Sequence, residues 1–166
     1  IENVPRLVSF EHGATLHAIL NALAELGYGT DVRILGAAYY GVPQMRWRTI
    51  ILGLRGKNLP SLAFPEPLYH APIKPNFTTT FDGQLLVKLP SPEASAKFTT
   101  VQEAIGDLPS LQTDEGDIIY GEEIQDYLYP IQNDYQKRMR ANSEKVRNHI
   151  GSIPIEKTKF MISLVP

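Results

Sequence analysis

Between residues 14 and 26 the apolar positions include Leu16, Ile19, Leu20 and Leu23. Steps of three and four residues put them on one stripe of an α-helix, so the pattern predicts a helix from Ala14 to Leu26. Gly27 and Gly29 supply its stop signal. Val32, Ile34 and Leu35 then predict a strand over Thr30 to Leu35. A turn-like segment, Gly36 to Pro43, leads to a second strand over Arg46 to Leu54. Apolar residues on both faces of that strand predict cover on both sides. The two strands are joined too tightly for a parallel crossover, so an antiparallel pair is expected.

From residue 58 to about residue 99 the pattern breaks. Pro60, Pro65, Pro67, Pro72, Pro75, Pro90 and Pro92 interrupt any long element. A surface-hugging connector is expected, with a short hairpin turning at Asp82-Gly83 between Phe81 and Leu85-Leu86-Val87. A short helix is predicted to start at Thr100, with Glu103 at capping-box spacing, and to end before Pro109. Residues 110 to 131 read as loop. Gln132 to Ile150 reads as a second long helix closed by Gly151, and Lys159 to Val165 as a strand or docking segment.

Composition adds limits. The chain has 166 residues, 43% hydrophobic and 20% charged, enough for one good core or part of a larger one. No apolar run reaches the roughly 20 residues of a membrane helix, so no membrane partner is expected, and there is no signal-peptide pattern. With no Cys, disulfides, thiolate metal sites and a cysteine nucleophile are excluded within these residues. Four scattered His have no metal-ligand spacing. A formal net charge of -2 is not that of a generic nucleic-acid binder. The charge is uneven, however. Asp114, Glu115, Asp117, Glu122, Glu123 and Asp126 form an acidic run. Lys137, Arg138, Arg140, Lys145, Arg147 and His149 follow, against Asp134 and Glu144. The basic stretch reads either as a solvated helix face or as a phosphate-facing surface.

The candidate chemistry sits in Tyr40-Gly41-Val42-Pro43-Gln44-Met45-Arg46-Trp47-Arg48, at the mouth of the second strand. Alternate strand residues share a side, so Gln44, Arg46 and Arg48 are expected to project together as a fork of donors. Upstream stands Glu2-Asn3-Val4, too short to signify alone. The ordered run from Glu2 to Arg55 resembles the middle motifs of the DNA cytosine-5 methyltransferases. Thr100-Val101-Gln102-Glu103-Ala104-Ile105-Gly106-Asp107-Leu108-Pro109 and Arg147-Asn148-His149 are weaker points of similarity to that family.

The resemblance implies an α/β fold. This chain would supply part of a Rossmann-like, S-adenosylmethionine-dependent methyltransferase mixed sheet over residues 1–57. Residues 58–166 would be a connector and the beginning of a target-recognition region. It implies methyl transfer from S-adenosylmethionine to C5 of a cytosine flipped out of double-stranded DNA. In that family a thiolate attacks C6, and a carboxylic acid shares a proton with N3. Glu2 matches that acid. Arg48 matches the arginine at the cytosine O2 edge, where a rigid, permanently charged fork stabilises developing charge. Asn3, Gln44 and Arg46 are implied as substrate-binding or supporting residues; structural roles for Gln44 and Arg46 stay open.

The family's Pro-Cys nucleophile segment, its glycine-rich cofactor turn and its last two motifs are not found in these residues. The expectation is therefore a piece of a longer protein, inactive alone, with the cofactor held mainly by residues absent here. Two other readings remain: a non-catalytic DNA-binding or regulatory relative, and an unrelated α/β domain. The compact linkers read as prokaryotic, hence cytoplasmic, with the nucleus the expected compartment for a eukaryotic source.

Overall fold

The computed structural model describes residues 1–56, 64–91, 93, 96–109, 113–114, 117–118 and 124–149. Its contacts divide the chain into two units, Ile1–Thr100 and Val101–Pro166.

The first unit is built on a three-stranded antiparallel sheet. Strand β1 (Glu2–Asn3) is followed by two short 3-10 turns and helix α1 (Ala14–Glu25). Strands β2 (Tyr28–Gly36) and β3 (Trp47–Arg55) complete the sheet, in the order β1-β3-β2. The expected antiparallel pair is present, with Val32 opposite Ile51 and Ile34 opposite Thr49. Alternation sends Val32, Ile34, Thr49 and Ile51 to one face, where all four are buried. Leu16 of α1 is fully buried in the same core, and Ile19, Leu20 and Leu23 pack against it. The predicted helical stripe is thus the one that covers the sheet. Gly27 ends the helix with φ +81, and its N–H donates to Ala24 O at 2.9 Å. Gly29 lies inside β2, opposite Leu54.

The expected two-sided cover of β3 is not found within the described residues. Thr49 and Ile51 are buried, whereas Arg48, Ile50 and Leu52 on the opposite face are only half-buried.

The proline-rich segment contributes more than a surface connector. Beyond β4 (Tyr69–His70), strands β5 (Thr80–Phe81) and β6 (Gln84–Leu85) form the expected hairpin. Asp82 and Gly83 both have positive φ, +49 and +75, as a type I′ turn demands. The chain then drops Leu86 and Val87 into the core. The Ile34 N–H donates to Leu86 O at 3.0 Å, and Val87 bridges Ile34 in parallel. This contact covers the free edge of β2, a row of backbone groups that would otherwise invite pairing. Strand β7 (Ala96–Lys97) pairs in parallel with β4.

The second unit holds α2 (Val101–Ile105), β8 (Thr113–Asp114), β9 (Asp117–Ile118), β10 (Ile124–Gln125), α3 (Asp134–Met139) and β11 (Val146–Arg147). The span read as loop therefore contains three paired strands: β8 with β9, and β10, whose partner β11 lies beyond α3. The long helix expected over Gln132 to Ile150 is overturned. Asn133 caps α3, its side chain accepting from the Gln136 N–H at 2.9 Å. Helical bonding runs out just past Met139: the Arg140 N–H still donates to Gln136 O at 2.9 Å, whereas the Ala141 N–H turns to Arg138 O at 3.4 Å. Arg140 reaches Asp107, the Ser143 hydroxyl donates to Lys145 O, and Val146 is buried opposite Gln125. The strand expected over Lys159 to Val165 lies outside the described residues. Among the described residues no helix is long and apolar enough to cross a membrane.

Candidate functional site

Backbone pairing brings the two ends of the Glu2-to-Arg55 run together. The Ile1 amine donates to Ile51 O at 2.8 Å, and the Ile51 N–H donates to Ile1 O at 2.9 Å. That register sets Glu2 opposite Ile50 and Asn3 opposite Thr49. Arg48, two residues before Ile50, then lies diagonal to Glu2 on the same face, within reach of a long side chain. Their side chains form an ion pair, Arg48 Nε to a Glu2 carboxylate oxygen. The Glu2 side chain is 56% exposed and that of Arg48 is 23% exposed. Arg48 Nη1 also donates to Trp47 O at 2.8 Å. A guanidinium has five N–H donors in a fixed fork, so three remain for an incoming acceptor. The arrangement can present a carboxyl group and a cation to one polar ligand.

The other predicted residues are placed differently. Asn3 falls on the opposite face from Glu2 by strand alternation. Its side-chain oxygen accepts from the Val4 N–H at 2.8 Å, fixing the turn that enters Pro5. The expected projection of Gln44, Arg46 and Arg48 from one strand does not occur, because β3 begins at Trp47. Gln44 and Arg46 sit in the preceding loop, where their backbones are committed. The Ala37 N–H donates to Arg46 O at 2.8 Å, and the Arg46 N–H donates to Gln44 O at 3.0 Å. Both side chains are exposed and make no hydrogen bond to another described residue.

Sequence reading missed the clamp around this loop. Trp47 packs edge-on against Tyr39 and Phe77, at centroid distances of 5.4 and 5.5 Å. The Tyr39 hydroxyl donates to Ile73 O at 2.9 Å, and the Leu68 N–H donates to Tyr39 O at 2.9 Å. Burial pushes the Tyr39 phenol up from its usual value. The available signal was alternation itself: Trp47 shares the parity of the buried Thr49 and Ile51. Gly41 closes the 3-10 turn at φ +80, and a Cβ there would lie 2.9 Å from the Tyr69 ring. Gly41→Ala is expected to cost about 2 kcal/mol, mostly from the left-handed backbone. Urea denaturation would measure it.

Tyr40 carries an unmet group. Its hydroxyl is buried without a hydrogen-bond partner among the described residues. Burial first, and the Glu66 charge second, push its pKa from 10.0 up to about 12. Tyr40→Phe removes an orphan hydroxyl and is expected to stabilise the chain by about 1 kcal/mol. The pH dependence has a definite sign. The folded phenol keeps its proton while the unfolded one ionises near pH 10. The stability this provides is present below pH 10 and is lost as pH rises toward about 12. Tyr40→Phe should flatten that loss in denaturation curves taken across the range.

No group of three or more potential metal ligands occurs among the described residues.

Comparison with known proteins gives one consistent result. The family model described as C-5 cytosine-specific DNA methylase matches residues 1–161. DNA (cytosine-5)-methyltransferase 1A of Oryza sativa subsp. japonica is 35% identical over 157 residues, which is 91% of this chain and 10% of the relative. Type II methyltransferase M.DdeI of Desulfomicrobium norvegicum is 31% identical over 154 residues, 91% of this chain and 31% of the relative. Type II methyltransferase M.AgeI of Thalassovita gelatinovora is 31% identical over 153 residues, 90% and 33% respectively. The chain thus spans between about a tenth and a third of the length of these three relatives.

Proposed function

We propose a function from one premise: this chain belongs to the C-5 cytosine-specific DNA methylase family. The parent protein that carries it transfers a methyl group from S-adenosylmethionine to C5 of a cytosine flipped out of duplex DNA. Cytosine C5 is a poor nucleophile. Attack of a thiolate at C6 makes C5 electron-rich and drives negative charge into the ring. This chain has no Cys, so that thiolate belongs to another part of the parent.

What this chain supplies is the polar edge of the pocket. Glu2 shares a proton with N3 as charge enters the ring. Arg48 donates to O2 with the N–H groups left free by Glu2 and Trp47 O. Asn3 holds the turn that presents Glu2. Gln44 and Arg46 are exposed donors on a clamped loop and contact the backbone of the target nucleotide. The observation that carries this reading is the meeting of Glu2 and Arg48 on one partly exposed face of the sheet.

The N-terminus of helix α1 does not fit S-adenosylmethionine. Helix α1 opens from 3-10 turns rather than from a strand, and the Phe81 ring lies 3.2 Å from where a Gly13 Cβ would stand. No glycine-rich strand-to-helix cradle is formed there, and the cofactor is held mainly by residues outside this chain.

The test is transfer of a labelled methyl group from S-adenosylmethionine to duplex DNA by the parent protein. Mass spectrometry of the product nucleosides should show 5-methylcytosine. Label on another atom would overturn the reading. DNA binding without transfer would favour the non-catalytic relative.

A further inference from the structure

The basic stretch of the second unit does not run along a helix face. Because α3 stops at Met139, the cations beyond it gather around the turn from Arg140 to Lys145 and the start of β11. They border a surface cavity of about 510 Å3 lined by Arg140, Asn142, Ser143, Glu144, Lys145 and Arg147. The turn is held by the Ser143 N–H on Arg140 O at 3.1 Å and by the Ser143 hydroxyl on Lys145 O at 2.7 Å.

The three cations are not equivalent. Arg140 is committed inward: it pairs with Asp107 at 3.2 Å, donates to Tyr129 O at 3.1 Å and lies 3.7 Å from the Tyr127 ring centroid. Lys145 pairs with Asp126, but the two side chains are 47% and 80% exposed. Such a pair is worth no more than about 1 kcal/mol, so Lys145 can turn to another anion at little cost. Arg147 is exposed and has no ion-pair partner among the described residues. One carboxylate, Glu144, stands at the same cavity.

We propose that this cavity is a binding site for a backbone phosphate of duplex DNA, gripped by Arg147 and Lys145. A guanidinium matches phosphate geometry with two parallel N–H bonds, and an ammonium adds a mobile point charge. The volume falls within the range of about 300–1,000 Å3 that takes whole ligands, which favours a sugar-phosphate unit over a bare ion. The site reads no sequence. It fixes the orientation of the duplex, as phosphate contacts do. The proposal rests on duplex DNA being the substrate, as argued above.

The experiment measures DNA affinity of the parent protein against salt concentration. Lys145→Gln combined with Arg147→Gln should lower the slope of log K against log salt by about 0.9, the value for one lost phosphate contact. Both side chains are exposed, so the variant should keep the wild-type circular dichroism spectrum. Glu144→Gln should tighten DNA binding severalfold, which a purely structural role for this turn would not produce. Lys88→Gln, a cation of the first unit paired with Glu66, should leave the slope unchanged. An unchanged slope in the double variant overturns the proposal. So does saturable binding of inorganic phosphate that duplex DNA cannot displace. A changed slope in a parent that never transfers a methyl group would keep the cavity and sink the catalytic reading. Intact methyl transfer with an unchanged slope would do the reverse.

Discussion

Glu2→Gln in the parent protein is expected to slow methyl transfer by about 10²- to 10⁴-fold, the usual span for loss of a positioned general acid. DNA affinity should stay within a factor of a few. Glutamine keeps the shape of the side chain and a hydrogen bond to N3, but it has no proton to share as charge enters the ring. The effect therefore falls on the transition state and lowers kcat rather than raising KM. Loss of the ion pair with Arg48 is a lesser matter, since the Glu2 side chain is 56% exposed. An exposed pair contributes less than about 1 kcal/mol to stability, so the variant should unfold at nearly the same denaturant concentration. Single-turnover rates with saturating DNA, set beside a DNA-binding isotherm, separate the two effects. Equal losses in rate and affinity would count against the acid role and leave Glu2 as a binding group.

Asp107→Ala should destabilise the second unit by about 3 kcal/mol. The Asp107 side chain is 3% exposed and accepts from Arg140, which is itself 17% exposed. Removing one member of a buried pair strands the other charge, at a typical cost of about 3–5 kcal/mol. The lower end is expected because Arg140 keeps Tyr129 O and the Tyr127 ring. Hydrogen exchange at the Leu128 N–H, which donates to Asp107 O at 2.8 Å, reads the loss where it occurs. Asp107→Leu combined with Arg140→Met should recover much of it, because no charge is then left buried alone. A loss below 1 kcal/mol would show that Arg140 relaxes into solvent.

Both predictions concern contacts between residues distant in the chain, and there the sequence was hardest to read. Glu2 and Arg48 could be picked out individually, through the resemblance of their surroundings to a family. Their meeting depends on β1 pairing with β3 in one register. A slip of one residue would turn Glu2 to the other face, and nothing in the residues near Glu2 forbids that slip. Gln44 and Arg46 show the opposite failure. Strand alternation predicts a shared side for them with Arg48, but they lie before β3, in a loop whose backbone bonds to Ala37 and to itself.

Sequence by itself determined the helix from Ala14, its glycine stop, the antiparallel pair of long strands and the Asp82-Gly83 hairpin. Each follows from forces that act within a few residues: side-chain periodicity, left-handed backbone at a turn, and the short reach of a tight connection. Only the tertiary structure decided which face carries Glu2, how the loop from Gly36 to Arg46 is clamped, and where α3 ends. Those outcomes rest on burial and hydrogen-bond partners tens of residues away. The chain leaves the helical path only after Arg140, whose N–H still donates to Gln136 O at 2.9 Å, and goes on to pair Val146 with Gln125, a partner that local pattern does not reveal.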